Sequence, residues 1–403
     1  MNQNTVASIV TTDSTNLLIS FCNQLSSPEC SLLVMTANGN ADASWVDYTA
    51  IPIESRRDFT GISGICRIGV HVVIATQSST PILALINLSS AEVVSYVDIK
   101  KGKDLHSLVY HEDYIYVVST GTNEIYRVSF YDGQFGEEEL FWGYPCVNYD
   151  RDEVHLNGLT IDGDRLIASC FGPRNTEGSW QKEGRVFYVG SGHTIHESLN
   201  QPHSPIVDGR RLIIAESAAR QIHIYNKDEQ DEWGVGKEVD VDVYVRGVTI
   251  TNGRLWVGVS ADRKLSRSRH RFLDEGQQKR ADSKIVEIDL LTGLQITDKS
   301  LLEFGREIYD VVSIHTSPPM LPVHTVISSR IRKMETSVDL YMADLKYYYS
   351  ENQENINRLR LAQDDLRLAQ EDLDCLLQSK SWRITKPLRS INKLWSRSKL
   401  LKG

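Results

Sequence analysis

Six two-residue polar steps, each followed by an apolar run, recur along the first three quarters of the chain: Ser63-Gly64, His106-Ser107, Asn157-Gly158, His203-Ser204, Arg246-Gly247 and Tyr309-Asp310. Gathered in one place, these residues could do several kinds of chemistry. His106 or His203 would act as a general base, with Asp310 as a third catalytic candidate. Asn157, His203 and Asp310 offer oxygen and nitrogen ligands for a divalent cation, calcium or zinc. Arg246 would make charge-assisted hydrogen bonds to an anion or a sugar acid. His155, Glu307 and Asp58 flank the same steps, so the candidate ligand-binding set is Ser63, His106, His155, Asn157, His203, Arg246, Tyr309 and Asp310. Polar residues in such positions also serve simply to satisfy backbone ends. Nothing points to a nucleophile or a nucleotide: GxSxG, a P-loop and a strand-following GxGxxG are all missing from the sequence.

The spacing of the steps, at 43, 51, 46, 43 and 63 residues, defines the elements that must carry them. A second apolar phrase follows each of the first five: HVVIAT at 71, YIYVVS at 114, RLIASC at 165, RLIIAE at 211 and RLWVGV at 254. A third comes next, as ILALINL, EIYRVSF, GRVFYVG, QIHIYN and KIVEIDL. Short β-rich runs bounded by Gly, Asp and Asn, about four per repeat of 40–50 residues, are the signature of propeller blades. The expected fold is an all-β six-bladed propeller over residues 1–316, with seven blades as the competing count. The chain begins with a second-strand phrase, NLLISFC at 16, and the last repeat has only a first strand, IYDVVSIH at 308–315. The two ends therefore complete one blade and close the ring. Strand parity then puts the start of every first strand and the loop after every second strand on one face. That places the polar steps around the mouth of the channel, overhung by the loops 171–184 and 261–283. The second loop carries Arg263, Lys264, Arg267, Arg269, Arg271, Lys279 and Arg280.

The 403 residues are 41% hydrophobic and 24% charged, ordinary globular values, and a net charge of −9 argues against a nucleic-acid partner. No apolar run reaches the length of a membrane span, and the N-terminus does not read as a signal peptide. The six cysteines are irregularly spaced without a CxxC pair, as expected of reduced thiols in a cytoplasmic protein.

The phrases HLNGLTIDGDRLIAS at 155–169, QPHSPIVDGRRLIIAES at 201–217 and VRGVTITNGRLWVGVSADR at 245–263 resemble an uncharacterised bacterial propeller family. Its marks are a Pro-His-Ser-Pro phrase and a later Arg-Gly…Val-Gly-x-Ser phrase. The resemblance covers most of 55–315 and implies a fold without implying an activity. Some six-bladed lactonases hold calcium at the channel mouth with acid and amide side chains. This chain departs from them by placing His and Arg where Glu or Asp would be expected.

The last quarter differs in kind. A proline-containing linker at 317–328 precedes a helical stretch at 329–379 with apolar residues at heptad spacing. Its a positions are Val338, Leu345, Asn352, Leu359, Leu366 and Leu373, and its d positions are Tyr341, Tyr348, Asn355, Ala362, Ala369 and Leu376. This pattern predicts a coiled coil and a homo-oligomer, dimer or trimer. Residues 380–403 hold eight Lys or Arg and no acid. Trp382, Arg383, Lys386, Leu388, Arg389, Ile391, Lys393, Leu394 and Trp395 interleave basic and apolar side chains, as in a helix lying on an anionic membrane surface. SWRITKPLR at 381–389 is similar to an element at the ends of bacterial surface-polysaccharide glycosyltransferases and methyltransferases.

The resulting expectation is a peripheral protein on the cytoplasmic face of the plasma membrane, acting in O-antigen or capsule biosynthesis. Its propeller would bind glycan or a glycosyltransferase partner. The alternatives are a lactonase-like metal-assisted hydrolase built on Asn157, His203, Arg246 and Asp310, and a pure interaction scaffold.

Overall fold

A computed structural model describes residues 16–23, 31–36, 44–45, 59–145, 151–174, 180, 182–260, 283–302 and 304–314. The linker, coiled coil and basic tail expected at 317–403, most of the 261–283 loop and Asp58 lie outside the described residues. Among the described residues no helix is long and apolar enough to cross a membrane.

The described chain forms six four-stranded antiparallel sheets. Five are consecutive in sequence, and their innermost strands are β4 (Gly61–Ile68), β8 (Leu105–His111), β12 (Leu156–Asp162), β16 (Pro202–Asp208) and β20 (Tyr244–Thr251). The sixth is assembled from both ends: β24 (Ile308–Ile314) is innermost and pairs with β1 (Asn16–Phe21), followed by β2 (Leu32–Thr36) and β3 (Ser44–Trp45). This is the six-bladed propeller with the strand closure expected from the two incomplete repeats.

Alternation explains the strands. In the outermost strand β7 (Glu92–Asp98) burial follows a period of two, as it must when one face meets solvent. The second strands are buried almost throughout because both faces are covered by neighbouring blades; β5 (His71–Gln77) and β17 (Arg211–Glu216) show this. Asn252-Gly253 and Asp132-Gly133 both sit at positive φ, as tight hairpin turns require.

The core is divided into six apolar clusters, one at each interface between adjacent blades. The cluster of Leu17, Ile19, Phe21, Trp256, Phe304 and Ile308 joins the composite blade to the one before it. That of Leu18, Ile62, Ile74 and Ile314 joins it to the one after. Six interfaces for six blades leave no gap in the ring. A polar clasp reinforces the closure: Asn23 Nδ2 donates to Glu307 Oε2 at 2.7 Å, and Gln77 Nε2 donates to Asn23 Oδ1 at 3.1 Å.

Candidate functional site

Every innermost strand carries a β-bulge at its polar step. Register slips between Ile62 and Gly64, Leu105 and Leu108, Leu156 and Gly158, His203 and Ile206, and Val245 and Val248, and where β24 passes Ile19 to Phe21. A bulge leaves a residue unpaired and re-aims its side chain. Here it occurs six times at the same level of the channel. Two residues before the step, Asp104, His155 and Gln201 take left-handed φ values of 50°, 50° and 60°, turning the chain into the channel.

The result is a closed wheel of side chains. Ser63, His106, Asn157, His203, Arg246 and Tyr309 are only 1–7% exposed, so the wheel is closely packed. His106 lies edge-on to His155, with centroids 5.3 Å apart, and to Tyr309 at 5.1 Å. Phe171 bridges His155 at 4.2 Å and His203 at 4.9 Å. His203 meets Tyr244 at 5.9 Å, and the Arg246 guanidinium lies 5.4 Å from Tyr244 and 5.5 Å from Tyr309, completing the circuit. Below the wheel is a cavity of about 170 Å³, roofed by His203 and Tyr309 and lined deeper by Ser204, Thr160, Thr249 and Asp310.

The hydrogen bonds fix the histidine tautomers. Ser217 Oγ donates to the Val245 carbonyl at 2.5 Å, so it accepts from His203 Nδ1–H at 2.6 Å. His106 Nδ1–H donates to the Asp104 carbonyl at 3.0 Å. His155 Nδ1–H donates to Asp152 Oδ2 at 2.8 Å. His106 and His203 therefore keep Nε2 as the acceptor. Burial, reinforced by the charge of Arg246, holds His203 well below the ordinary histidine range. Burial, partly offset by Asp104, brings His106 down to about 4. Both are neutral at pH 7. Arg246 stays charged: burial opposes its charge, and Tyr244, Cys22 and Glu307 more than restore it.

Four of the six wheel residues hold a buried polar atom with no hydrogen-bond partner: Ser63 Oγ, His203 Nε2, Arg246 Nε and Tyr309 OH. Orphaned buried polar atoms are rare in folded proteins. Four of them come from four blades in one wheel, which makes this level of the channel the candidate site for a polar ligand.

Asn157 and Asp310 are engaged elsewhere. Asn157 Nδ2 donates to the Pro202 carbonyl at 2.9 Å, and its Oδ1 accepts from Ser169 Oγ at 2.6 Å. Asp310 Oδ2 accepts from the Ile65 amide at 3.1 Å and Oδ1 from the Val311 amide at 2.9 Å. These oxygens are already used within the fold. Among the described residues, the group whose His, Asp or Glu ligating atoms gather in threes within 4.8 Å is His111, Glu112 and Asp164, away from the wheel and largely exposed. Asn157, His203 and Asp310, the three residues expected to bind metal, all line the cavity, with the Asn157 and Asp310 oxygens accepting from protein donors.

Asp310 belongs to a second ring one residue deeper, in which Gly64, Gly158 and Gly247 alternate with Ser107, Ser204 and Asp310. The three polar members reach to the next blade: Ser204 Oγ accepts from the Gly247 amide at 3.1 Å, Asp310 from Ile65, and Ser107 Oγ donates to the Leu159 carbonyl at 3.5 Å. Burial raises the Asp310 carboxyl from 3.8 to about 6, against the pull of its two amide donors. The folded state therefore binds a proton between pH 6 and 4 that the unfolded chain does not. Stability from this group rises as pH falls through that window. Comparing wild type with Asp310→Asn by urea unfolding, the difference should move in favour of wild type by about 2 kcal/mol between pH 7 and 4.5. A difference independent of pH would refute the raised value.

The part played by Asp152 lies beyond sequence reasoning, whereas Arg174 and Trp180, which form an isolated bridge, belong to the 171–184 loop expected to overhang the mouth. Trp180 lies 5.4 Å from both His155 and Phe171, and Arg174 sits 4.1 Å above Trp180 while pairing with Asp152 at 2.8 Å. The Asp-x-x-His spacing at 152–155 is the signal that the sequence offers. Cys170 is a buried free thiol and Cys66 a half-buried one, and burial pushes both up to about 12.

A family described as "Domain of unknown function (DUF4915)" matches residues 73–321. No curated protein matches the chain. Among solved structures, a propeller of the nidogen/laminin complex is 12% identical with a TM-score of 0.50, over 76% of this chain and 100% of that one. A periplasmic gluconolactonase of Pseudomonas aeruginosa is 10% identical, TM-score 0.48, over 76% and 100%. A putative 6-phosphogluconolactonase of Bacteroides fragilis is 11% identical, TM-score 0.48, over 76% and 99%. These identities speak to the fold. The expectation of a role in envelope-polysaccharide biosynthesis is corrected here: the family match carries no such role, and the solved structures similar in fold include a gluconolactonase and a putative 6-phosphogluconolactonase.

Proposed function

The chain belongs to the DUF4915 family, and from that premise we propose that its channel mouth binds a small polyhydroxylated carboxylic acid and hydrolyses the corresponding lactone. The observation that carries this reading is three orphaned polar atoms, Ser63 Oγ, His203 Nε2 and Tyr309 OH, in one wheel with a buried guanidinium whose own Nε is orphaned. Arg246 Nε is a charged donor suited to a carboxylate, or to the oxyanion that forms when water adds to a lactone carbonyl. His203 Nε2 is an acceptor for a hydroxyl. Ser63 Oγ and Tyr309 OH both donate and accept. The aromatic edges of the wheel suit the C–H faces of a sugar-like ring. A cation is disfavoured next to Arg246.

D-Gluconate, D-glucose and D-glucono-1,5-lactone are the probes. Calorimetry on the full chain should show gluconate binding and glucose binding at least tenfold weaker. His203→Phe keeps an aromatic ring and removes the acceptor; it should weaken gluconate binding by about tenfold or more. The lactone should be opened faster than its spontaneous rate in a pH-stat. Equal affinity for glucose and gluconate, or no effect of His203→Phe, would sink the reading.

A further inference from the structure

We infer that Asp152 and His155 form the proton-transfer dyad of this site, with His155 as the base and Asp152 as its positioning residue, an assignment that rests on the lactone-hydrolysis reading above. Three histidines edge the wheel, and they differ in what holds Nδ1. His106 is held by a carbonyl and His203 by a hydroxyl. Only His155 has a carboxylate within hydrogen-bond distance, at 2.8 Å. A carboxylate on Nδ1–H stabilises the imidazolium that forms when Nε2 takes a proton, and a neutral oxygen does so far less. His106 and His203 are also disfavoured as bases by burial, whereas the His155 side chain is 16% exposed.

The clamp on His155 is double. Asp152 Oδ2 takes the ring, and Oδ1 accepts from the His155 backbone amide at 2.8 Å. The backbone it grips is the left-handed one, φ 50°, an unfavourable conformation for a histidine that persists because the surroundings over-determine it. Asp152 is itself held by Arg174 at 2.8 Å, which lies over Trp180, and Trp180 covers the His155 ring. Burial works to raise the Asp152 carboxyl, and His155 and Arg174 outweigh it, so the carboxyl lies below its usual range and is ionised at neutral pH. The groups facing His155 are therefore Asp152 and Arg174 on one side, His106 and His203 across the wheel, and the rings of Phe171 and Trp180.

The step balances without a further reactant. Nε2 of His155 takes a proton from water as its oxygen bonds to the lactone carbonyl carbon. The tetrahedral oxyanion collapses, the ring C–O bond breaks, and the imidazolium returns the proton to the departing alkoxide. Lactone and water give the hydroxy acid. The Arg246 guanidinium stabilises the oxyanion while it exists.

The test has two arms on the full-length protein. The first needs no substrate. Nitrogen-15 NMR of the ligand-free protein should find His155 protonated on Nδ1 and not on Nε2, and Asp152→Asn should abolish that single tautomer. A wild-type His155 protonated on Nε2 overturns the dyad whatever the substrate. The second arm uses D-glucono-1,5-lactone. His155→Gln should lower kcat about 100-fold with KM within threefold. Asp152→Asn should lower kcat at least tenfold and shift the acid limb of the pH–rate profile, and Asp152→Glu should recover part of the loss. Turnover that is normal in His155→Gln and lost in His203→Phe overturns the dyad and leaves the proposed reaction standing. A fixed His155 tautomer in a protein that neither binds nor opens the lactone overturns the proposed reaction instead, and with it the catalytic role of the dyad.

Discussion

Replacing Gly64 by alanine should lower the stability of the propeller by about 3 kcal/mol, an unusually large loss for a single methyl group. A Cβ at this position would run into the backbone carbonyl of His106 on the next innermost strand, with the Leu108 side chain 3.3 Å away. Neither obstacle is the free end of a flexible side chain. The two strands are held together by the apolar clusters on either side, so one blade would have to shift against the ring. For a domain of this size the loss corresponds to a fall in Tm of roughly 5 °C, measured by circular dichroism. Gly69→Ala is the control. Gly69 sits in a left-handed turn, φ 60°, with nothing within 4 Å of the place an added methyl group would take, so alanine there costs only about 1 kcal/mol of backbone strain. If Gly64→Ala were as mild as Gly69→Ala, the innermost strands would not approach as closely as described. Gly158, whose Cβ would meet the Pro205 ring, and Gly247, whose Cβ would meet the Asp310 backbone at 2.9 Å, repeat the situation two and four blades further round.

The same glycines show how far the sequence could be read. The repeat of polar steps identified the blades and their number, because each step opens an innermost strand and the apolar phrases after it are strands with two buried faces. The composite blade was legible because one end of the repeat lacks a first strand and the other lacks the rest. What lay beyond reading was the bulge. Strand parity put Ser63, His106, Asn157, His203, Arg246 and Tyr309 at the mouth, and parity says nothing about which side chains turn toward each other once a residue is left unpaired. The difference decides the chemistry. Asn157 turns to Ser169 and Pro202. Asp310 turns to the backbone of the next blade. The mouth is a packed wheel of aromatic, imidazole and guanidinium groups. His155, in the candidate set by its place two residues before a polar step, joins the wheel because a left-handed backbone swings it over the mouth. No pattern of residue types announces that conformation for a histidine.

Arg246→Met should weaken gluconate binding at least 30-fold while leaving the wheel packed, because methionine preserves most of the side chain's length and loses only its charge and donors. The guanidinium is buried between Tyr244 and Tyr309, with Nη1 3.8 Å from Glu307 Oε2 and 3.7 Å from Cys22 Sγ. Its removal also deprives a largely enclosed Glu307 of a positive neighbour, so the single variant should lose about 3 kcal/mol of stability. That loss complicates any binding measurement made on the single variant alone. Glu307→Gln in the same chain resolves it. Neutralising both partners removes the uncompensated charge, and the amide of a glutamine still accepts from Asn23, which donates to Glu307 at 2.7 Å. The double variant should therefore regain most of the stability and none of the affinity. Recovery of both would make Arg246 a structural partner of Glu307 and remove the positive charge from the proposed recognition of the acid. Recovery of stability alone assigns that charge to the ligand. It would also explain why the protein keeps a guanidinium in the same wheel as His106 and His203, which burial holds in their neutral form.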